Sequence, residues 1–138
     1  MNDIIRAFRR AIGDWRGARL TEVNLIGMNL TNANLTNADL SCADLSCADL
    51  RDADLTGADL TGANLTGANL YGANLYGADL IGARLWCADL TSADLTSADL
   101  IDADLTGTNF TDADLTDADF TDARLSLSNR TFKLKDEE

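Results

Sequence analysis

A leucine returns every five residues from Leu20 to Leu125, replaced only by Phe110 and Phe120, and this period restricts the fold more than any other feature of the chain. Ala stands two positions before each of these residues from Ala18 to Ala123, with Val23, Met28 and Thr108 as the departures. Between Ala and Leu lies Asn, Asp or, three times, Arg; after Leu comes mostly Thr or Ser, then mostly Gly, Asp, Asn, Ser or Cys. Neither regular element accommodates this spacing. On an α-helix five residues advance about 500°, so successive leucines drift about 140° apart and never form a stripe. In a straight strand an odd step sends successive leucines to opposite faces and leaves half of them in water. The chain must therefore bend once per repeat, always in the same sense, and Gly or Asp at the fifth position supplies the backbone freedom for the bend. Leu and Ala then point inward along a coil, and the Asx between them points out. With aromatic residues at 6% and no proline in 138 residues, this regular stack replaces a jigsaw core.

Stretches such as Ala58-Asp59-Leu60-Thr61-Gly62 and Ala63-Asn64-Leu65-Thr66-Gly67 resemble the pentapeptide-repeat proteins, whose motif is Ala-(Asp/Asn)-Leu-x-x. The resemblance covers residues 18–127. It implies an all-β solenoid, a right-handed quadrilateral β-helix with four repeats per coil; the period by itself also admits three sides. Four sides give about five and a half coils, a rod roughly 26 Å long at ~4.8 Å per coil, each coil stable only against its neighbours.

The coil needs covers at its ends. In residues 1–17, Ile4, Ile5, Phe8, Ile12 and Trp15 fall within about a 100° arc at helical periodicity, with Arg6, Arg9, Arg10 and Arg16 opposite, which predicts an N-terminal amphipathic capping α-helix. A membrane-surface helix has a similar pattern, but an open coil of leucine is the nearer need. Residues 128–138 form a short polar C-terminal tail: Arg130 falls where the next core Leu belongs, and Phe132 and Leu134 are available to cover that end.

The formal net charge is −12, and residues 18–127 alone carry −14, from 18 acids against Arg19, Arg51, Arg84 and Arg124. Direct nucleic-acid binding calls for the opposite sign. No apolar run approaches the roughly 18 residues that span a bilayer. Three cysteines, an odd number, without an apolar leader predict a reducing, cytoplasmic setting.

With a 20-residue coil, Asp39, Asp59, Asp79, Asp99 and Asp119 stack as an acidic ladder. Two unit charges at such a spacing repel by about 1 kcal/mol in water. One reading is structural, since Asp bonds nearby backbone groups at a bend; the other is that the negative field is itself the product. Fourteen charges over ~26 Å is one per ~1.9 Å, against ≈ 1.7 Å for duplex DNA. The resemblance carries a matching precedent, because some pentapeptide-repeat proteins are DNA mimics that bind DNA gyrase and protect it from quinolones or inhibit it. Those members generally have longer repeat regions, loops that interrupt the coils and a C-terminal dimerisation segment, whereas these repeats run unbroken into a short tail.

Apolar side chains also appear at the outward position after Leu: Ile26, Tyr71, Tyr76, Ile81, Trp86 and Ile101. Tyr71, Tyr76, Ile81 and Trp86 occupy four successive faces, a girdle round the middle of the rod, with Tyr71 above Arg51 as an expected cation-π pair. Aromatic and Arg residues favour protein interfaces, and scattered exposed apolar residues otherwise need no explanation. Cys42, Cys47 and Cys87 replace small residues at the bend, too far apart to pair. Without histidine there is neither a zinc-ligand pattern nor a ready general base, the filled interior leaves no pocket, and no cofactor or metal is called for. The expectation is a non-catalytic, acidic, rod-like protein-interaction module, monomeric or weakly homodimeric. The alternatives are a DNA mimic acting on gyrase or another DNA-binding protein, and a purely structural repeat without a partner.

Overall fold

In the computed structural model, residues 13–126 are described, and they form one continuous stack of coils. Parallel bridges join each outward Asx position to the one 20 residues on, from Asp14 to Asn34, Arg19 to Asp39 and Asn24 to Asp44 through to Asp99 and Asp119. Two short strands, β1 (Asp104–Leu105) and β2 (Arg124–Leu125), continue the same register, with Asp104 opposite Arg124 and Leu105 opposite Leu125. Four repeats therefore complete one coil. We number the faces by their central residues: the first carries Leu20, Leu40, Leu60, Leu80, Leu100 and Phe120, the second the series from Leu25 to Leu125, the third that from Leu30 to Phe110, and the fourth that from Trp15 to Leu115.

The backbone explains why the repeat keeps its five-residue period from coil to coil. The Leu60 amide donates to the Asp79 carbonyl at 2.7 Å, Gly62 to Ile81 at 2.8 Å, and Asp79 returns a bond to Ala58 at 3.0 Å, so each repeat is tied to the next coil three times. The bend is closed within the repeat: Ala63 donates to Leu60 at 2.9 Å, and the same bond recurs at each bend. Its third residue always has positive φ, whether Gly62 (65°), Cys42 (55°) or Asp117 (57°). That left-handed conformation costs a residue with a Cβ about 1–2 kcal/mol, which accounts for the Gly, Asn and Asp found there. At Gly72 a Cβ would also lie 2.6 Å from Asp52 Oδ1 one coil below, so a larger residue there would have to turn the Asp52 carboxylate aside.

The core is a column of side chains closed to solvent: every central leucine from Leu35 to Leu105 is 0% exposed, and the alanines between them are nearly as closed. An alanine pressed between coils at ~4.8 Å has room for one methyl. The departures from the motif fall in the outermost coils of the described residues. Val23 and Met28 lie in the first full coil; Thr108, Phe110 and Phe120 lie in the last. Phe110 and Phe120 meet across the axis, centroids 6.4 Å apart and nearly perpendicular. Thr108, which is buried, satisfies its hydroxyl by donating to the Leu85 carbonyl at 2.7 Å.

One expectation is corrected. Trp15 does not belong to a capping helix: Gly13-Asp14-Trp15-Arg16-Gly17 enters the coil as a further repeat, with Trp15 in the place of Leu. Its amide donates to the Asn34 carbonyl at 2.6 Å, its carbonyl accepts from Ala18 at 3.0 Å, and it joins the core at 9% exposure. The boundary between residues 17 and 18 therefore moves toward the N-terminus. Ile4, Ile5, Phe8 and Ile12, and the capping helix built on them, lie outside the described residues, as does the 128–138 tail.

Candidate functional site

The outward Asx does a local job first. Its Oδ1 accepts the amide two residues on, as in Thr61 to Asp59 at 2.9 Å, Thr66 to Asn64 at 3.1 Å and Ile81 to Asp79 at 3.0 Å. A following hydroxyl often donates to the same oxygen, as Ser41 does to Asp39 and Thr121 to Asp119, both at 2.6 Å. Asn accepts the same amide at a similar distance, so the bend can be made without the charge. The Ser41 hydroxyl holds the Asp39 carboxyl below its ordinary range, with smaller help from the Ser41 amide, the Thr21 hydroxyl and Arg19; the Thr121 hydroxyl and amide do the same for Asp119.

The register places Asp39, Asp59, Asp79, Asp99 and Asp119 in one column on the first face. Tyr71, Tyr76, Ile81 and Trp86 fall on the third, fourth, first and second faces. Tyr71, Tyr76 and Trp86 are about half exposed (47%, 51% and 55%), and Ile81 is half-buried. They ring the rod without forming one patch.

Arg51 differs from expectation. Its guanidinium is clasped by Asp49 in its own repeat, with Nε to Oδ1 at 2.8 Å and Nη2 to Oδ2 at 2.6 Å, where a cation-π contact with Tyr71 was expected. A two-pronged bond to a full charge is stronger than attraction to a ring face. The same clasp joins Arg16 to Asp14 at 3.1 Å, so Asp-x-Arg across the central residue is the signal, because strand neighbours two apart share a side. Arg51 holds the Asp49 carboxyl down to about 2. A depressed carboxyl stabilises the fold above its unfolded value near 4, and that stability is lost as pH falls through the folded value. The stability difference between the wild type and Arg51→Gln is therefore expected to be full at pH 6 and to shrink between pH 4 and pH 2, as read by urea unfolding at each pH. A difference constant across that range would show that the clasp does not shift Asp49.

Sequence reasoning missed that the charge is lopsided. The fourth and first faces, with the corner between them, hold Asp14, Asp54, Asp94, Asp114, Asp117 and the five ladder aspartates against Arg16 and Arg19, a net −8. The second and third faces, with their corner, hold Asp44, Asp49, Asp89 and Asp104 against Arg51, Arg84 and Arg124, a net −1, and the two remaining corners hold Glu22, Asp52, Asp102, Asp112 and Asp122, a net −5. The signal was present in the residues but became readable only with the 20-residue register. Cys42, Cys47 and Cys87 are free, exposed thiols at bends with φ of 54–56°.

The family model for pentapeptide repeats (8 copies) matches residues 18–57, 48–86 and 88–126. The chain belongs to the pentapeptide-repeat family. Among solved structures it is similar to the pentapeptide repeat protein Rfr23 from the cyanobacterium Cyanothece 51142, at 28% identity and a TM-score of 0.73 over 93% of this chain and 97% of that one. It also shares its fold with QnrB1, a plasmid-mediated fluoroquinolone resistance protein, in a trypsin-treated form, at 20% identity and a TM-score of 0.57 over 83% and 78% of the two chains. No curated protein matches the sequence. The pentapeptide repeats recognised by sequence begin at residue 18, one repeat later than the coil itself.

Proposed function

We propose that this pentapeptide-repeat protein is a non-catalytic interaction module whose acidic fourth and first faces are gripped by a basic protein surface. The observation that carries the reading is the one-sided charge of those faces, where the ladder keeps Asp although Asn accepts the same bend amide at equivalent positions, as at Asn64 and Asn69. Charge concentrated on one side suits a partner that approaches from that side and is steered by the field. Catalysis has little support: the interior is filled by leucines at 0% exposure, and the carboxylates stand on a convex, solvated surface where no substrate is enclosed.

A second reading, mimicry of duplex DNA toward gyrase or another DNA-binding protein, is favoured by the charge density of about one per ~1.9 Å of axis. The lopsided distribution argues for the first reading, because a duplex is charged all round. One pair of proteins tests both: the wild type, and a variant with Asp39, Asp59, Asp79, Asp99 and Asp119 changed to Asn. Immobilised side by side in cell lysate, the wild type is expected to retain a basic protein that the variant does not, released by salt. Identical capture by both would refute the acidic-face reading. In a gyrase supercoiling assay, inhibition by the wild type that the variant lacks would put the DNA mimic first.

A further inference from the structure

We propose that a second copy of this chain docks antiparallel on the second face, about a two-fold axis at the level of Asn64 and Gly67. Rods of net −14 over the repeats repel one another on approach by their acidic sides; the second face is where opposite charges balance, Asp44 and Asp104 against Arg84 and Arg124. The outward column there reads Asn24, Asp44, Asn64, Arg84, Asp104 from coil to coil. Turned end for end about Asn64, it sets Asp44 against Arg84 of the second copy, Arg84 against Asp44, and Asn24 against Asp104. Both members are available. Asp44 takes the Ser46 amide, the Ser46 hydroxyl and the Asn64 amide group all on Oδ1, which leaves Oδ2 without any of these bonds. Arg84 makes no ion pair or hydrogen bond through its side chain among the described residues; its charge acts on Asp104 in the next coil only at longer range, which leaves its donors open.

Shape follows the same symmetry. Trp86, 55% exposed, faces the small Ser46 of the second copy, and Thr66 meets itself. The corner beside this face carries no charge at all and is palindromic about its middle: Gly27, Cys47, Gly67, Cys87, Gly107. A two-fold contact is self-complementary, residue i meeting j while j meets i; here it brings Cys47 beside Cys87 of the second copy twice over. A face about 24 Å by about 12 Å buries on the order of 600–800 Å² in total, below the size of stable interfaces, so the dimer is weak and concentration-dependent.

The three thiols supply the test. In the 138-residue chain with Cys42→Ser, a short bis-maleimide at high protein concentration is expected to give a covalent dimer. Adding Cys47→Ser or Cys87→Ser should each abolish it, and mixing the two variants should restore it through the one remaining Cys47–Cys87 contact. Ser is native at equivalent left-handed bends, Ser92 and Ser97, so the variants keep the fold. Arg84→Asp restores the commonest residue at its position, so the rod stays intact while the cross-linked yield falls at least about tenfold. A variant retaining only Cys47 or only Cys87 that cross-links to itself would overturn the antiparallel register. Sedimentation as a monomer at about 1 mM without cross-linking, or an Arg84→Asp yield equal to the wild type's, would overturn the dimer as described.

Discussion

Replacing Leu65 with Ala in the middle of the rod is expected to lower the unfolding free energy by about 3–5 kcal/mol, whereas Leu125→Ala should cost less than about 1 kcal/mol. Both are the same residue at the same place in the repeat on the same face. Leu65 is 0% exposed between Leu45 and Leu85, and Leu125 is 44% exposed in the last coil. The central cavity has no means of collapsing, because its coil is held by backbone bonds at fixed spacing to the coils on both sides, as from Leu65 to Arg84 at 2.7 Å and from Leu45 to Asn64 at 2.8 Å. At the end, nearly half the side chain is already in water and its loss leaves little void. Guanidinium unfolding of the two variants against the wild type measures the difference. A broadened transition for Leu65→Ala alone would mark uncoupling of the two halves of the stack; equal costs at both sites would show that stability is not transmitted from coil to coil.

The same nearest-neighbour logic explains which parts of the structure could be read from the residues. Inside and outside were legible because the period of five excludes a straight helix and a straight strand, and Ala38, Leu40 and their equivalents are indeed closed to solvent. The number of sides was not, since nothing in a local repeat records how many bends close a turn; the 20-residue bridges record it. Trp15 was misplaced because it satisfies two templates at once. It continues the helical spacing from Ile12, and it also stands five residues before Leu20 with Asp14 at the Asx position and Gly17 at the bend. Matching a Leu-centred motif gives the helix priority, yet the coil accepts an indole at the edge of the described residues, as it accepts Met28 in the first full coil and Phe120 in the last. The lopsided charge is a third case: every acid was visible, but assigning each to a face needed the register first.

Changing Asp39, Asp59, Asp79, Asp99 and Asp119 together to Asn should raise the thermal midpoint by several degrees at low salt, a gain that shrinks toward zero as salt approaches about 1 M and the Debye length falls to about 3 Å. Two effects compete. Removing like charges stacked one per coil relieves repulsion, most at Asp59, Asp79 and Asp99, which each have an acidic neighbour above and below. Against this, a carboxylate is a stronger acceptor than an amide, roughly twofold for charge-assisted bonds, and Asp39 and Asp119 receive both an amide and a hydroxyl on Oδ1. The ends of the column therefore have the most to lose and the least repulsion to shed, so a variant limited to the three central residues should keep most of the gain. Thermal melts at several salt concentrations separate the two effects, since the repulsion is screened and the short hydrogen bonds are not. If the substitutions lower the midpoint at every salt concentration, charge assistance at the bends outweighs repulsion along the column. The acidic charge would then be part of what holds the coils in shape, not a surplus kept for a partner.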